Sequence, residues 1–384
     1  MRNKIRVASC LLAAAISTAG LLGKVSIAVA GDNDVTIPLA TPISGQDAPL
    51  ADPVVKGYML AIKHANAAGD LPGHITASVQ DDQDKPEVGT TVARKLCGDT
   101  DVIGVVGDFA SSVNLSTDPV YEDCGLVHVS PTSSNNILTE KGFTTFFRTS
   151  SKNSNEVEGS IIWIRKNWTD VKTLSTIDSN EASTKDFTHR IAEAWEAGGG
   201  TVLDQVHVIS GNNDFRGPLT TMIAKKPDLI FSGLFDTDGG LMVKQARQLG
   251  YEGKFFGNDG MVADNFIAVA GPQNAQGVYM ANLGYDPTRT PSAESFVKEY
   301  QAAYGTSPST YAANTYDATM AIIMAWKAAG GSKDRAKIRD AVAKSNFLGV
   351  SGPISFTDKG DLANPQIGIF RVENGKIEYV GPAS

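Results

Sequence analysis

From Val35 onward the chain alternates short apolar runs with longer amphipathic segments, and this rhythm constrains the fold more than any other feature. The apolar runs read as strands over 35–40, 75–80, 102–106, 126–129, 174–177, 202–208, 229–232, 255–257 and 278–281. Segments of helix length lie among them at 54–68, 88–96, 112–123, 155–166, 186–197 and 240–249. Parallel strands need a crossover, usually a helix, so this pattern predicts βαβ units with helices on both faces of a parallel sheet. Nine strands and 384 residues exceed one comfortable domain. Two doubly wound α/β domains are expected.

The first 30 residues stand apart. Arg2, Lys4 and Arg6 form a basic start, 7–23 is almost wholly apolar or small, and Ala28-Val29-Ala30 offers the small residues a signal peptidase reads. The pattern predicts a secretory signal over 1–30, cleaved before Gly31. Val7-Ala8-Ser9-Cys10 imitates a lipoprotein box, but the apolar stretch follows Cys10 instead of preceding it, so lipidation is not expected. Loss of Arg2, Lys4, Arg6 and Lys24 takes the formal charge from −8 to −12. That excess of acid excludes a nucleic-acid binder, which needs clustered Lys and Arg. No later run approaches the roughly eighteen apolar residues of a membrane span. A secreted, soluble product is expected.

Open α/β sheets bind ligands beyond the carboxyl ends of their strands, near helix N-termini. The segments at those ends are Gly107-Asp108-Phe109-Ala110-Ser111-Ser112, Ser130-Pro131-Thr132-Ser133-Ser134, Gly233-Leu234-Phe235-Asp236 and Gly257-Asn258-Asp259-Gly260. Small hydroxyls, an aromatic ring and an acid therefore converge on the crevice. Cys97 and Cys124 each end an expected helix and precede Gly, a helix-stop signal. Neighbouring crossover helices end on one side of a sheet, which makes a Cys97–Cys124 disulfide geometrically reasonable; the alternative is two buried thiols.

The usual catalytic signatures are missing. His64, His74, His128, His189 and His207 lack zinc-site spacing, and there is neither a G-x-S-x-G elbow nor a P-loop. Gly198-Gly199-Gly200 follows a helix and reads as its stop. No enzyme, metal or cofactor is expected.

Several motifs share an order and spacing: Val35-Thr36-Ile37-Pro38-Leu39 with Ser44-Gly45, Asp81-Asp82, Val106-Gly107 with Ala110-Ser111-Ser112, and Tyr121-Glu122-Asp123 with Ser130-Pro131-Thr132-Ser133-Ser134. Phe147-Arg148-Thr149, Gln245-Ala246-Arg247, Gly257-Asn258-Asp259-Gly260 and Gly352-Pro353 with Asp358-Lys359-Gly360-Asp361 continue it. In these the chain resembles the periplasmic solute-binding proteins of branched-chain amino acid ABC transporters, the Leu/Ile/Val-binding family. The resemblance implies a type I periplasmic binding protein, α/β, with two Rossmann-like lobes joined by three crossing segments. Lobe 1 would comprise 31–152 and 284–363, and lobe 2 would comprise 153–283 and 364–384. It further implies a periplasmic monomer without cofactor that captures a small-molecule ligand, an amino acid, and delivers it to an ABC transporter membrane permease.

By the same resemblance, Ser111 and the Thr132, Ser133, Ser134 loop receive the ligand carboxylate. The Thr132 carbonyl, the Ser134 hydroxyl and Asp259 hold its ammonium, and Phe235, Tyr311 and Leu50 wall the side-chain pocket. Each has a plainer reading: helix caps for the serines, a turn residue for Asp259, core packing for Tyr311 and Leu50. Phe235 stands where relatives often carry Tyr. Ala182 falls on another tyrosine of the family with Glu181 beside it, a departure that points to a larger or more polar amino acid. The disulfide of some relatives aligns with Asp84 and Ala110, so a Cys97–Cys124 bridge is a separate solution. A small non-amino-acid carboxylate as ligand, a ligand-sensing role, and a secreted amide hydrolase are the competing readings.

Overall fold

Two sheets organise the described part of the chain, residues 33–383 of a computed structural model. The expected signal over 1–30 lies outside the described residues, as does Cys10. The first sheet joins β1 (Val35–Thr41), β2 (Ile75–Asp81), β3 (Gly104–Val106), β4 (Val127–Ser130) and β5 (Phe146–Arg148) in the order β2-β1-β3-β4-β5, all parallel. The second begins with five parallel strands, β6 (Thr173–Asp178), β7 (Thr201–His207), β8 (Leu229–Gly233), β9 (Lys254–Gly257) and β10 (Tyr279–Asn282). After a small antiparallel pair, β11 (Asn346–Leu348) with β12 (Pro353–Ser355), the chain adds β13 (Gly368–Glu373) and β14 (Lys376–Pro382) antiparallel at the edge of that second sheet. Its order is β14-β13-β10-β9-β8-β6-β7. Starting from β7, the parallel part runs β7-β6-β8-β9-β10, the order of the first sheet repeated. Each lobe therefore has its own switch point, between β1 and β3 and between β6 and β8, where adjoining crossovers diverge to opposite faces and leave a crevice.

Helices cover both faces of both sheets. In chain order they are α1 (Ala48–Ala68), α2 (Pro86–Cys97), α3 (Ser111–Cys124), α4 (Asn153–Asn167), α5 (Ala182–Ala197), α6 (Arg216–Ala224) and α7 (Asp236–Gln248). The remainder are α8 (Asp264–Ala270), α9 (Pro272–Ala275), α10 (Glu294–Tyr304), α11 (Thr310–Ala328) and α12 (Arg335–Ala343). Helix α11 packs on α1, and α12 on α11, so the chain returns to lobe 1 after β10 and goes back to lobe 2 at β13. With the passage between β5 and β6, it crosses three times. Leu39, Tyr58, Ile103, Ile322 and Trp326 build one face of the lobe 1 core, and Leu96, Val105, Tyr121 and Leu126 the other. Lobe 2 does likewise with Ile230, Met242, Phe255 and Phe266 on one face and Ile164, Phe187, Phe231 and Phe256 on the other. Burying each such side chain contributes about 1.5–3 kcal/mol.

All nine expected strands are present. Val102, expected within the third, makes only an isolated bridge to Thr36, and the strand proper begins at Gly104. Helices α2 and α3 end side by side. Gly125 turns into the left-handed region (φ +69°) immediately after α3, and Cys97 and Cys124 are joined by a disulfide with Cα atoms 5.9 Å apart. Arg335, the first residue of α12, donates from Nη1 to the carbonyls of Cys97 (3.0 Å) and Cys124 (3.4 Å) and from Nη2 to that of Asp99 (2.7 Å). Helix C-termini leave carbonyls without intrahelical donors and carry partial negative charge, which one guanidinium satisfies for two helices at once.

Candidate functional site

The strand ends of the two lobes face one another across a tight cavity of about 20 Å³. Lobe 1 lines it with Phe109, Ala110 and Ser111 after β3, Thr132 and Ser134 after β4, and Tyr311 on α11. Lobe 2 contributes Glu181 and Ser183 after β6, Phe235 after β8, and Asn258 and Asp259 after β9. The sequence reaches this arrangement by placing a glycine or small polar residue where each strand ends. Gly107 is one such position: its φ is +131°, and a Cβ there would lie 2.3 Å from the Ala40 carbonyl oxygen. Gly260 is another, where a Cβ would come within 2.5 Å of the Phe235 ring. Any side chain at position 260 would displace that ring.

On the lobe 1 side, Ser111 begins α3; the next amides are already taken, that of Ser112 by Glu181 and those of Val113 and Asn114 by the Ala110 carbonyl. The Ser111 hydroxyl accepts the amide of Asn135 (3.2 Å), tying the helix start to the following loop. Thr132 donates to the Phe109 carbonyl (2.7 Å). Ser133 turns inward instead: its Oγ receives Asn114 Nδ2 (2.6 Å) and lies 3.2 Å from the carbonyls of Asp108 and Phe109. Its hydroxyl holds the loop and does not line the cavity. Beneath the loop, fully buried Arg148 donates from Nη1 to the carbonyls of Ser133 and Asn135, both 3.0 Å, and from Nη2 to Thr139 Oγ1 (2.9 Å). Its Nε pairs with Asp361 (2.9 Å), which Lys152 also reaches (2.7 Å). The Phe-Arg-Thr and Lys-Gly-Asp motifs, distant in sequence, are thus the two halves of the brace under the loop.

On the lobe 2 side, Asp259 accepts the Tyr311 hydroxyl at 2.6 Å, a contact across the lobes. Burial raises its carboxyl to about 6, with the Tyr311 bond opposing. Behind it, Glu156 Oε1 accepts the Asp259 amide (2.9 Å); burial, then the charge of Asp259, push the Glu156 carboxyl far up, so Glu156 is the member that keeps a proton. Glu181 caps α5 by accepting the amides of Ser183 (2.6 Å) and Thr184 (3.3 Å). Its other oxygen accepts the amide of Ser112 (2.9 Å) at the start of α3 in the opposite lobe. Ser134 and Ser183 hydroxyls meet at 2.6 Å, and Asn135 Nδ2 donates to the Ala182 carbonyl (2.7 Å), so three polar contacts cross the cleft here. Phe109 and Tyr311 stand edge to face, centroids 5.7 Å apart. The Oδ1 of Asn258 is buried and has no partner within the protein.

Six residues named from sequence, Ser111, Thr132, Ser134, Phe235, Asp259 and Tyr311, are brought together around the cavity. Leu50 is not: it is buried on α1 and lines a larger neighbouring opening that shares Tyr311 with the cavity. Phe109, Glu181, Ser183 and Asn258 were not singled out as site residues. The rule that favours strand ends, applied to the end of β6 as well, finds Glu181 and Ser183.

Residues 34–376 match the family model described as periplasmic binding protein. The Leu/Ile/Val-binding protein homolog 3 of Brucella melitensis is 27% identical over 364 residues, covering 94% of this chain and 98% of that one. The structure of the leucine-binding protein LivK from Thermotoga maritima has a TM-score of 0.84 at 25% identity, covering 91% of this chain and 98% of the other. The substrate-binding protein LivJ from Streptococcus pneumoniae, solved with isoleucine, has a TM-score of 0.81 at 26% identity, covering 91% of this chain and all (100%) of its own.

Proposed function

The chain belongs to the periplasmic binding protein family, and from that premise we propose that it captures an α-amino acid between its lobes and delivers it to an ABC transporter permease. The observation that carries this reading is the polarity of the cavity. One end is the N-terminus of α3 with Ser111 and the Thr132–Ser134 loop; the other is Asp259, held by Tyr311. The partial positive charge at the helix start and the neighbouring hydroxyls favour a carboxylate, and a buried carboxylate favours an ammonium. An α-amino acid carries both charges at a fixed short separation. Relatives named for leucine and isoleucine support the same class of ligand.

Capture is a closing of two jaws. The three crossings fall at 152–153, 283–284 and 363–364, and lobe 1 holds the ligand first. Asp259 and Phe235 add contacts available only when lobe 2 arrives, which shifts the population toward the closed form. Brace residues Arg148 and Asp361 fix the loop carbonyls beforehand, so little ordering remains to be done on binding. The protein works outside the cytoplasm after removal of residues 1–30, as a monomer presented to the permease.

Calorimetric titration of the purified protein against a panel of amino acids tests this. Asp259→Asn should weaken binding by about 3–5 kcal/mol, because a buried ammonium loses its counter-charge. Equal affinity of wild type and variant for every amino acid would remove Asp259 from the site. Binding of benzoate, with no α-amino acid bound at all, would replace the amino acid by a simple carboxylate.

A further inference from the structure

The cavity wall is one-sided in its chemistry. None of the eleven residues lining it is Lys, Arg or His, while two, Glu181 and Asp259, are acids. Asp259 is accounted for by the ligand's α-ammonium. Glu181 is not: its donors, three amides and the Ser112 side chain, are all neutral, and burial raises its carboxyl with no cation among the described residues beside it to offset the cost. Its place matters too. Glu181 Oε1 lies on the Ser112 amide at the start of α3, the same helix end that draws the ligand's carboxylate. Two anions meeting at one helix end favour a positive group between them.

An independent feature points the same way. Asn258 is only 4% exposed, lines the cavity, and leaves its Oδ1 with no donor. A buried carbonyl oxygen without a partner is uncommon and calls for a donor from whatever fills the space. An alkyl side chain supplies none. Accepting groups thus wait on the lobe 2 side in excess of what the α-ammonium of an ordinary amino acid can serve.

Building on the amino acid reading above, we propose that the ligand is a short diamino acid, whose side-chain ammonium is received by Glu181 and by the Asn258 carbonyl. Branched-chain amino acids are disfavoured because they leave both acceptors unanswered. The departure at Glu181 and Ala182 from the tyrosine of relatives then becomes the residue change that sets specificity.

The test compares ligands that differ only in charge. Titration calorimetry should show ornithine and 2,4-diaminobutyrate binding at least about tenfold tighter than norleucine and norvaline, their uncharged counterparts in shape. In Glu181→Gln that preference should vanish. Norleucine, norvaline or leucine binding as tightly as the diamino acids would overturn the inference while leaving the amino acid reading intact. A preference that survives unchanged in Glu181→Gln would overturn the role of Glu181. Binding of benzoate alone, with no α-amino acid bound, would overturn both readings together. The wild-type comparison stands even if the variant, having lost part of the α5 cap, fails to fold.

Discussion

Asp259 concentrates the pH behaviour of the site. Its carboxyl titrates at about 6, raised chiefly by burial, and only the ionised form attracts an ammonium. Above that value binding involves no proton; below it, every amino acid bound must expel one. Affinity is therefore expected to fall as pH drops through about 6, and calorimetry in buffers of different ionisation enthalpy should detect protons released at pH 5 but not at pH 7.5. A pH-independent affinity across that range would show that Asp259 does not face the ammonium. Ser111 is the milder case. Its hydroxyl shares the carboxylate end of the cavity with the Thr132–Ser134 loop, so Ser111→Ala should cost on the order of 1–3 kcal/mol in binding, read by the same titration. Both residues were legible in the sequence because both sit where a strand ends and a helix or turn begins. Ser133 was not, since its neighbours share that position and only the folded loop decides which hydroxyl turns to Asn114. Leu50 lies off the cavity for a similar reason: helix phase, which turns it inward on α1, is not visible in one apolar residue.

Two elements are braced by contacts between distant parts of the chain. The first is the pair of helix ends at Cys97 and Cys124, joined by a disulfide and clamped by Arg335. The bridge closes a chain segment of 27 residues, and in the chain-entropy account it should contribute about 2–4 kcal/mol. Helix α3 has 14 residues, so its cysteine end lies about 20 Å from its cavity end. Replacing both cysteines by Ala should lower the unfolding free energy by that amount in a denaturant titration and leave ligand affinity unchanged. The second brace is Arg148 with Asp361. Burial works to raise the Asp361 carboxyl, but the charges of Arg148 and then Lys152 outweigh it and hold the group below the ordinary carboxylate value. A carboxyl depressed in the folded state stabilises fully above its unfolded value near 4, and that contribution is lost as pH falls through its folded value. Asp361→Asn leaves a buried guanidinium unpaired, so about 3–5 kcal/mol of stability should disappear at neutral pH. At pH 2 the difference from wild type should narrow.

At the scale of the molecule, a ligand that binds only the folded chain must stabilise it. At a hundred times its dissociation constant the gain is about 2.7 kcal/mol, visible as a higher melting temperature; absence of any shift with a ligand shown to bind would contradict closure around it. The doubly wound plan was readable because its central strands are short apolar runs set between turn signals. The last hundred residues were less so. Helix α11 is buried on nearly every side, which removes the amphipathic period that marks a helix, and β11 and β12 have only 3 residues each. Those late elements have a consequence for how the chain must assemble. Helix α1 waits for α11, some 260 positions downstream, and β10 presents a bare edge until β13 covers it. Neither lobe can be finished by the first half of the polypeptide, so contacts of long sequence separation set the folding rate and make it slow. A chain cut short before Gly368 would keep its two crevices in outline and lose the strands that seal lobe 2, leaving β10 free to pair with a neighbouring molecule.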